Sequence, residues 1–118
     1  MEVVMPYIGG ILSENSYKFA TRRTKPYVRM WMRELEGKVK ALSLPEAPSY
    51  TIEVQGRFTD ERRPDISNLF KVISDAIEDG LGVNDKHFKM VDKGYSLGHL
   101  DQELVISIIP EGGESGTP

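Results

Sequence analysis

The chain has 118 residues, of which 39% are hydrophobic and none is cysteine, so it suits one domain with one modest core and excludes disulfides and thiolate metal sites. Its net charge of −3 argues weakly against a nucleic-acid partner, and no apolar run approaches the roughly 20 residues of a membrane span. The N-terminus lacks the basic start and long apolar stretch of a secretion signal, so we expect a cytoplasmic protein with no membrane partner.

The charge is distributed unevenly along the sequence. Residues 1–50 carry eight Lys/Arg and five Asp/Glu, whereas residues 51–118 carry seven and thirteen. One end of the molecule could therefore hold a polyanion while carboxylates act at the other end. A solvated helix face is the more common explanation of such a charge run. The basic residues of the first half cluster at Arg22, Arg23, Lys25, Arg29 and Arg33.

The first half of the chain predicts a strand, a long loop and an amphipathic helix. The strand is EVVM, residues 2–5, and Pro6 stops it. Residues 9–25 mix Gly, Ser, Asn, Thr and basic side chains, which predicts an extended loop long enough to be functional. A helix begins near Pro26, because proline is favoured in the first turn, and it ends before Pro45. Its apolar stripe at 3.6-residue spacing consists of Val28, Trp31, Met32, Leu35, Val39 and Leu42.

The second half predicts a strand, a helix and two more strands. Residues 50–58, YTIEVQGRF, alternate between apolar and polar side chains, as a half-buried strand does. A second helix begins near Asp65 and ends before Gly80, because glycine is a common helix stop. Strands follow around residues 87–93 and 103–109, with a glycine-containing turn between them.

The predicted order of elements is β–α–β–α–β–β. This order indicates an α/β fold of the α+β type, in which two helices pack on a small mixed β-sheet. We expect a single domain over residues 1–110 and a flexible tail over residues 111–118, which are rich in glycine.

Polar residues gather on and around the second helix. At 100° per residue, Asn68, Lys71 and Asp75 lie close together on a face away from the core stripe, below Asp65 at the N-terminus. Asp85 follows the helix. Taken singly, these residues have ordinary roles: Asp65 is a preferred N-cap, and Lys71 with Asp75 is an i,i+4 ion pair.

Taken together, these residues indicate a metal site and a phosphodiester substrate. Carboxylates without thiols or a histidine cluster are hard oxygen ligands that suit Mg²⁺ or Mn²⁺ rather than zinc. Asp65 and Asp85 flank the helix, and both can meet one ion if the chain folds back. Lys71 can then support the phosphate or orient the attacking water, while Arg62 and Arg63 grip neighbouring phosphates. A nuclease is therefore a hypothesis that agrees with these residues, although two or three acids are common in a chain of 118 residues.

The segment RRPDISNLFKVISDAIEDGLGVND, residues 62–85, resembles the signature of the RusA family of Holliday junction resolvases. The family pattern has a basic run, then Asp-x-Asp-Asn-x-x-Lys, a further Asp four residues after the Lys, a Gly-containing turn and a closing Asp-Asp. Upstream, LSENSYK at residues 12–18 resembles the family's Ser/Asn-rich loop, so the likeness covers roughly residues 1–110. The matching positions are Asp65, Asn68, Lys71, Asp75, Gly80 and Asp85.

The sequence departs from the family pattern at two positions. Ser67 stands where the best-known members have a second Asp, and Asn84 stands where they have the first Asp of the closing pair. Ser67 keeps an oxygen but has no charge, so we expect a lower affinity for the metal. Serine at this position resembles phage-type relatives. From its helical face, Asp75 is our candidate for the missing carboxylate.

The resemblance implies a Mg²⁺-dependent endodeoxyribonuclease, with Mn²⁺ as a possible substitute, that resolves four-way DNA junctions by paired symmetric nicks in recombination and repair. It also implies a homodimer, because an isologous dimer presents two identical sites to a junction of approximate two-fold symmetry. The expected site comprises catalytic Asp65, Lys71 and Asp85; metal-binding Asp65, Asp85, Asp75 and Ser67; DNA-binding Arg22, Arg23, Lys25, Arg62, Arg63 and Lys71; and Asn68 in support.

Two other interpretations are compatible with the sequence. The first is a catalytically weak or inactive DNA-binding dimer of the same fold, in which Ser67 marks a degraded site. The second is a structural or interaction domain whose acids merely cap and solvate the second helix. Cleavage of a synthetic junction separates the first from an active enzyme, and stabilisation by divalent cations excludes the second.

Overall fold

The computed structural model of the protein describes residues 1–13, 15–21 and 23–112. Within these ranges it confirms the predicted α+β class, with two helices and a four-stranded mixed sheet in the predicted order. The elements are β1 (Glu2–Pro6), α1 (Pro26–Ala41), β2 (Ser49–Arg57), α2 (Phe70–Leu81), β3 (Phe88–Ser96) and β4 (Glu103–Glu111). Residues 113–118 of the predicted tail lie outside the described residues.

The sheet has the strand order β1-β4-β2-β3. β4 runs antiparallel to both β1 and β2, whereas β3 runs parallel to β2. Two parallel neighbours cannot be joined by a tight hairpin and need a crossover connection. The crossover between β2 and β3 contains α2, so the segment with the RusA-like pattern is the connection that lies across the sheet.

Both helices and one face of the sheet enclose a single core. Ile106 of β4 lies opposite Val3 of β1 and opposite Val54 of β2, and all three belong to the core. Helix α1 contributes Val28, Trp31, Leu35 and Val39, as its stripe predicts, while Met32 and Leu42 are partly buried at the margin. Helix α2 contributes Val72, Ile73, Ala76 and Ile77.

The predicted end of the second helix is wrong by two residues. α2 continues through Gly80 and ends at Leu81, and Gly82 is the cap, with a left-handed φ of 69° that favours glycine. Gly80 instead serves helix packing. A Cβ atom on Gly80 would lie 3.0 Å from the Cβ atom of Val39, so its absence lets α2 approach α1 closely.

The predicted start of the second helix also needs correction. Ile66–Leu69 form a turn of 3-10 helix, and the α-helix begins only at Phe70. Asp65 occupies the N-cap position of the 3-10 turn, yet its side chain makes no capping hydrogen bond. The orphan amides of this turn therefore do not explain the aspartate.

The long loop before α1 is folded against the core rather than extended over the surface. It contains a 3-10 turn at Gly10–Leu12, and Leu12 and Tyr17 are buried. An isolated β-bridge between Lys18 and Thr24 closes its last part. Within the described ranges, no helix is long and apolar enough to cross a membrane.

Candidate functional site

Three carboxylates converge from the middle of α2, its last turn and the segment that follows it. One oxygen each of Asp75, Glu78 and Asp85 lies within 4.8 Å of the other two, and all three residues are half-buried. Asp75 and Glu78 share a helix face because they are three residues apart. Gly82 turns the chain after the helix, and the backbone N–H of Asp85 donates to Oε2 of Glu78 at 3.3 Å. We call Asp75, Glu78 and Asp85 the acidic group.

Asp75 is held through both of its carboxylate oxygens. The hydroxyl of Tyr17 donates to Oδ2 at 2.9 Å, and Nζ of Lys71 lies 3.3 Å from Oδ1. Tyr17 is only 2% exposed, so its hydroxyl approaches from the protein interior. The long loop before α1 therefore forms one wall of the acidic group.

Lys71 is a fixed positive charge beside the acidic group. The charge of Asp75 raises the pKa of Lys71, its hydrogen bond adds to this increase, and the charges of Asp85 and Glu78 raise it further. The pKa of an ordinary lysine is already about 10.4. Lys71 is therefore protonated at neutral pH and can hold a phosphate oxygen, but it cannot accept a proton from water.

The other predicted ligands lie at the opposite end of α2. Asp65 precedes the 3-10 turn, its side chain is 78% exposed, and Oδ1 lies 3.9 Å from Nη1 of Arg63. Ser67 and Asn68 are exposed within the same turn. Asp65 and Ser67 precede α2 and Asp85 follows it, so the helix, whose twelve residues span about 18 Å, separates them from Asp85. The structure brings Asp75 and Asp85 together, whereas Asp65 does not belong to the acidic group.

Arg62 and Arg63 differ in their environments. The side chain of Arg62 is 90% exposed, and its Nη2 lies 2.9 Å from Oδ2 of Asp60. The Arg63 guanidinium carbon instead lies 3.6 Å from the ring centroid of Tyr95 on β3, and Nη1 donates to the carbonyl of Pro64. Arg63 therefore anchors the start of the RusA-like segment to the sheet, and Arg62 is the more accessible of the two to a phosphate.

The basic residues before α1 lie at its N-terminal end. Arg23 is exposed, and Lys25 is partly exposed at the N-cap position. The positive end of the helix dipole adds to their charge, and the first turn of α1 contains no acid. Arg22, the remaining predicted DNA-binding residue of this segment, lies outside the described residues.

Comparison with known proteins adds no relative to this picture: no family model matches the chain, and no curated protein gives a significant match. The likeness to the RusA family therefore rests on the residues quoted above.

The sequence did not indicate two residues of this region: Glu78, which belongs to the acidic group, and Tyr17, which donates a hydrogen bond to it. Glu78 lies three residues after Asp75, and this spacing was a usable signal for a shared helix face. The family pattern has no acid at that position, so the resemblance did not indicate it. Tyr17 is separated from Asp75 by 58 positions in the chain, and no periodicity connects the two.

Removing the hydrogen bond from Tyr17 to Asp75 should measurably lower the stability of the protein. Replacing Tyr17 with phenylalanine should lower the free energy of unfolding in urea by about 1.5–3 kcal/mol, the usual range for a bond to a charged group. The matched control is Tyr7→Phe, because the partly buried Tyr7 packs against Phe58 and its hydroxyl has no partner in the described part of the chain. Equal effects of the two substitutions would contradict a special role for the Tyr17 hydroxyl.

Proposed function

We propose that the protein is a Mg²⁺-dependent, structure-specific endodeoxyribonuclease that acts as a homodimer on four-way DNA junctions. The observation that carries this proposal is the convergence of the acidic group and Lys71 within the segment that resembles the RusA signature. Asp75 and Glu78 share a helix face through their spacing, and the turn after α2 adds Asp85 to them.

The donor set of the acidic group suits a hard divalent cation. Mg²⁺ binds oxygen ligands at about 2.1 Å, so neighbouring or opposite ligands of one ion are about 3–4.2 Å apart. The carboxylate oxygens of Asp75, Glu78 and Asp85 lie within 4.8 Å of one another, which small side-chain adjustments bring into this range. Three carboxylates and one lysine also leave an excess of negative charge that a cation would neutralise.

Each residue of the site has a distinct task in phosphodiester hydrolysis. A bound Mg²⁺ would lower the pKa of a water molecule and neutralise charge on the phosphate. Asp75, Glu78 and Asp85 would hold the ion, and Tyr17 fixes the orientation of Asp75. The protonated Lys71 would hold a phosphate oxygen and stabilise the negative charge that develops in the transition state.

Basic residues outside the acidic group supply the proposed contacts with DNA. Arg62 is accessible at the start of the RusA-like segment, and Arg23 and Lys25 are accessible near α1. Such contacts neutralise phosphates and do not read the base sequence. A dimer would duplicate them about a two-fold axis, which matches the approximate symmetry of a four-way junction.

One observation favours a catalytically weak or inactive DNA-binding dimer as the second candidate. Asp65 and Ser67, two of the ligands that the resemblance implies, lie at the end of α2 away from Asp85. If Asp65 is indispensable for the ion, the acidic group alone would bind it poorly. Mg²⁺-dependent stabilisation without cleavage would support this candidate.

The proposed activity is tested with a synthetic four-way junction and a linear duplex of the same sequence. We expect symmetric nicks in the junction with Mg²⁺, no cleavage with chelator, and little cleavage of the duplex. Mg²⁺ should also raise the melting temperature in a concentration-dependent manner, since an ion that binds the folded state stabilises it by about 2.7 kcal/mol at a hundredfold excess over its Kd. Intact junctions and an unchanged melting temperature would refute the proposal.

A further inference from the structure

A groove at the N-terminal end of α1 combines cationic and apolar side chains. It is formed by the loop that closes at the Lys18–Thr24 bridge and by the first turns of the helix. Besides Thr24 and Pro26, the groove is lined by three arginines and two large exposed apolar residues: Arg23, Arg29, Arg33, Phe19 and Met30. We call this surface the α1 groove.

In the part of the chain that the structure describes, the arginines of the α1 groove form no ion pair with an acid. All three are exposed, and within residues 1–13, 15–21 and 23–112 no ion pair or side-chain hydrogen bond engages Arg23, Arg29 or Arg33. The chain as a whole has 18 acids and 15 Lys/Arg, so a cluster of unpaired cations is contrary to its overall charge. Such a cluster creates a local positive potential that attracts a polyanion.

The apolar side chains of the α1 groove indicate that its polyanionic ligand also offers an apolar or aromatic surface. Phe19 is 48% exposed and Met30 is 70% exposed, beside the arginines rather than in the core. The backbone N–H of Phe19 donates to the carbonyl of Arg23 at 2.8 Å, which holds the aromatic residue in place. An exposed aromatic ring next to arginines is the arrangement on which unpaired bases stack while their phosphates are neutralised.

We propose that the α1 groove binds single-stranded nucleic acid, with phosphates on Arg23, Arg29 and Arg33 and bases against Phe19 and Met30. A duplex would supply phosphates but would keep its base faces stacked. A second copy of the chain fits poorly, because an isologous contact through this surface would place the arginines of the two copies against one another. The inference goes beyond the proposed nuclease activity, since this binding requires neither metal nor cleavage.

Hydrogen bonds of Lys25 and Tyr17 connect the edge of the α1 groove with the acidic group. The backbone N–H of Lys25 donates to the carbonyl of Tyr17 at 3.0 Å, and the hydroxyl of Tyr17 donates to Asp75. A strand bound in the groove would therefore leave it close to the wall of the acidic group. Unpaired nucleotides near the branch point of a DNA substrate would provide such a strand.

The test is equilibrium binding to labelled oligonucleotides, measured by fluorescence anisotropy in the presence of chelator. The probes are oligo(dT) of about 15 nucleotides, within the span of known single-strand sites, a duplex of equal length and an abasic oligomer of equal charge. We expect oligo(dT) to bind at least about fivefold more tightly than the abasic oligomer, because stacking contributes to each bound base.

Substitutions identify the surface. Arg29→Ala combined with Arg33→Ala should weaken oligo(dT) binding about tenfold or more and reduce the salt slope by about 1.4, since each phosphate contact on a single strand contributes about 0.7. Phe19→Ala should weaken binding of oligo(dT) but leave the abasic oligomer unchanged. The matched controls are Arg57→Ala, which lies on β2 and pairs with Glu103, and Leu100→Ala, which is 94% exposed in a turn.

Four binding results would overturn the inference. These are equal affinity for oligo(dT) and the abasic oligomer, tighter binding to the duplex, oligo(dT) binding that resists both sets of substitutions, and a preference for phosphatidylserine vesicles that depends on Arg29 and Arg33. A dimer that dissociates on Phe19→Ala would assign the surface to a second copy and overturn it as well. The binding measurements are made in chelator, whereas junction cleavage by the same variants is measured with Mg²⁺, so loss of single-strand binding is scored separately from loss of cleavage.

Discussion

Replacing Asp85 with asparagine is expected to lower the rate of Mg²⁺-dependent junction cleavage by about a hundredfold or more. Replacing a residue that only supports a metal ligand already lowers activity by about ten- to a hundredfold, and Asp85 is a proposed ligand itself. The substitution preserves the size of the side chain and removes the charge that a hard cation requires. Junction binding in chelator should remain within about twofold, because no phosphate contact is lost. The measurements are single-turnover cleavage and anisotropy on the same four-way junction.

Parallel substitutions decide which acids hold the ion. If the acidic group is the metal site, Glu78→Gln should impair cleavage as severely as Asp85→Asn, and the Mg²⁺ concentration for half-maximal rate should rise. The RusA resemblance instead predicts that Asp65→Asn abolishes cleavage. Asp101→Asn is the matched control, because Asp101 is an exposed aspartate before β4 and lies outside the acidic group. Normal cleavage by Glu78→Gln beside complete loss in Asp65→Asn would refute the three-carboxylate site.

Replacing Lys71 with methionine is the second substitution with a large expected effect. We expect the cleavage rate to fall by about 10²–10³-fold, the usual cost of removing one group that stabilises charge in a transition state. The fold should be little affected, because Lys71 is exposed and an i,i+4 ion pair contributes only a few tenths of a kcal/mol. Lys71→Arg keeps the charge and should retain part of the activity, so it is the matched control.

The pH dependence tests the state of Lys71 directly. Because Asp75 raises the pKa of Lys71, the lysine should stay charged between about pH 6 and 9, well below an ordinary lysine pKa. The ion pair between Lys71 and Asp75 stabilises the fold below about pH 10.4, and this stabilisation is lost only as the pH rises through the raised pKa of Lys71. The contribution of the ion pair to stability is therefore constant between about pH 6 and 9. The ratio of wild-type to Lys71→Met rates should therefore be constant. A ratio that grows with pH would indicate a neutral lysine acting as a base.

The sequence by itself determined the fold class and most of the elements, because these follow from local rules. The apolar stripe of α1 predicted its buried face, and Pro26 predicted its first residue. Alternation over residues 50–58 predicted β2, which covers Ser49–Arg57. Periodicity and turn chemistry act within a few residues, so they can be read without knowing what lies opposite each element.

The sequence also predicted one side-chain contact on the second helix. Lys71 and Asp75 form the ion pair that their spacing predicts, and Asp85 lies close to Asp75. It misjudged the cap, because both Gly80 and Gly82 satisfy the local rule for a helix stop. The choice between them depends on α1: Val39 packs closely against Gly80 within the helix, which leaves Gly82 to adopt the left-handed conformation.

Only the tertiary structure decided which polar residues share one site. The acidic group depends on the turn after α2, which directs Asp85 back onto Glu78. Its wall depends on Tyr17, which reaches Asp75 across 58 positions because the core and the Lys18–Thr24 bridge fold the loop against α2. Contacts between distant segments are set by how the helices and the sheet pack together, and no local pattern in the sequence encodes that packing.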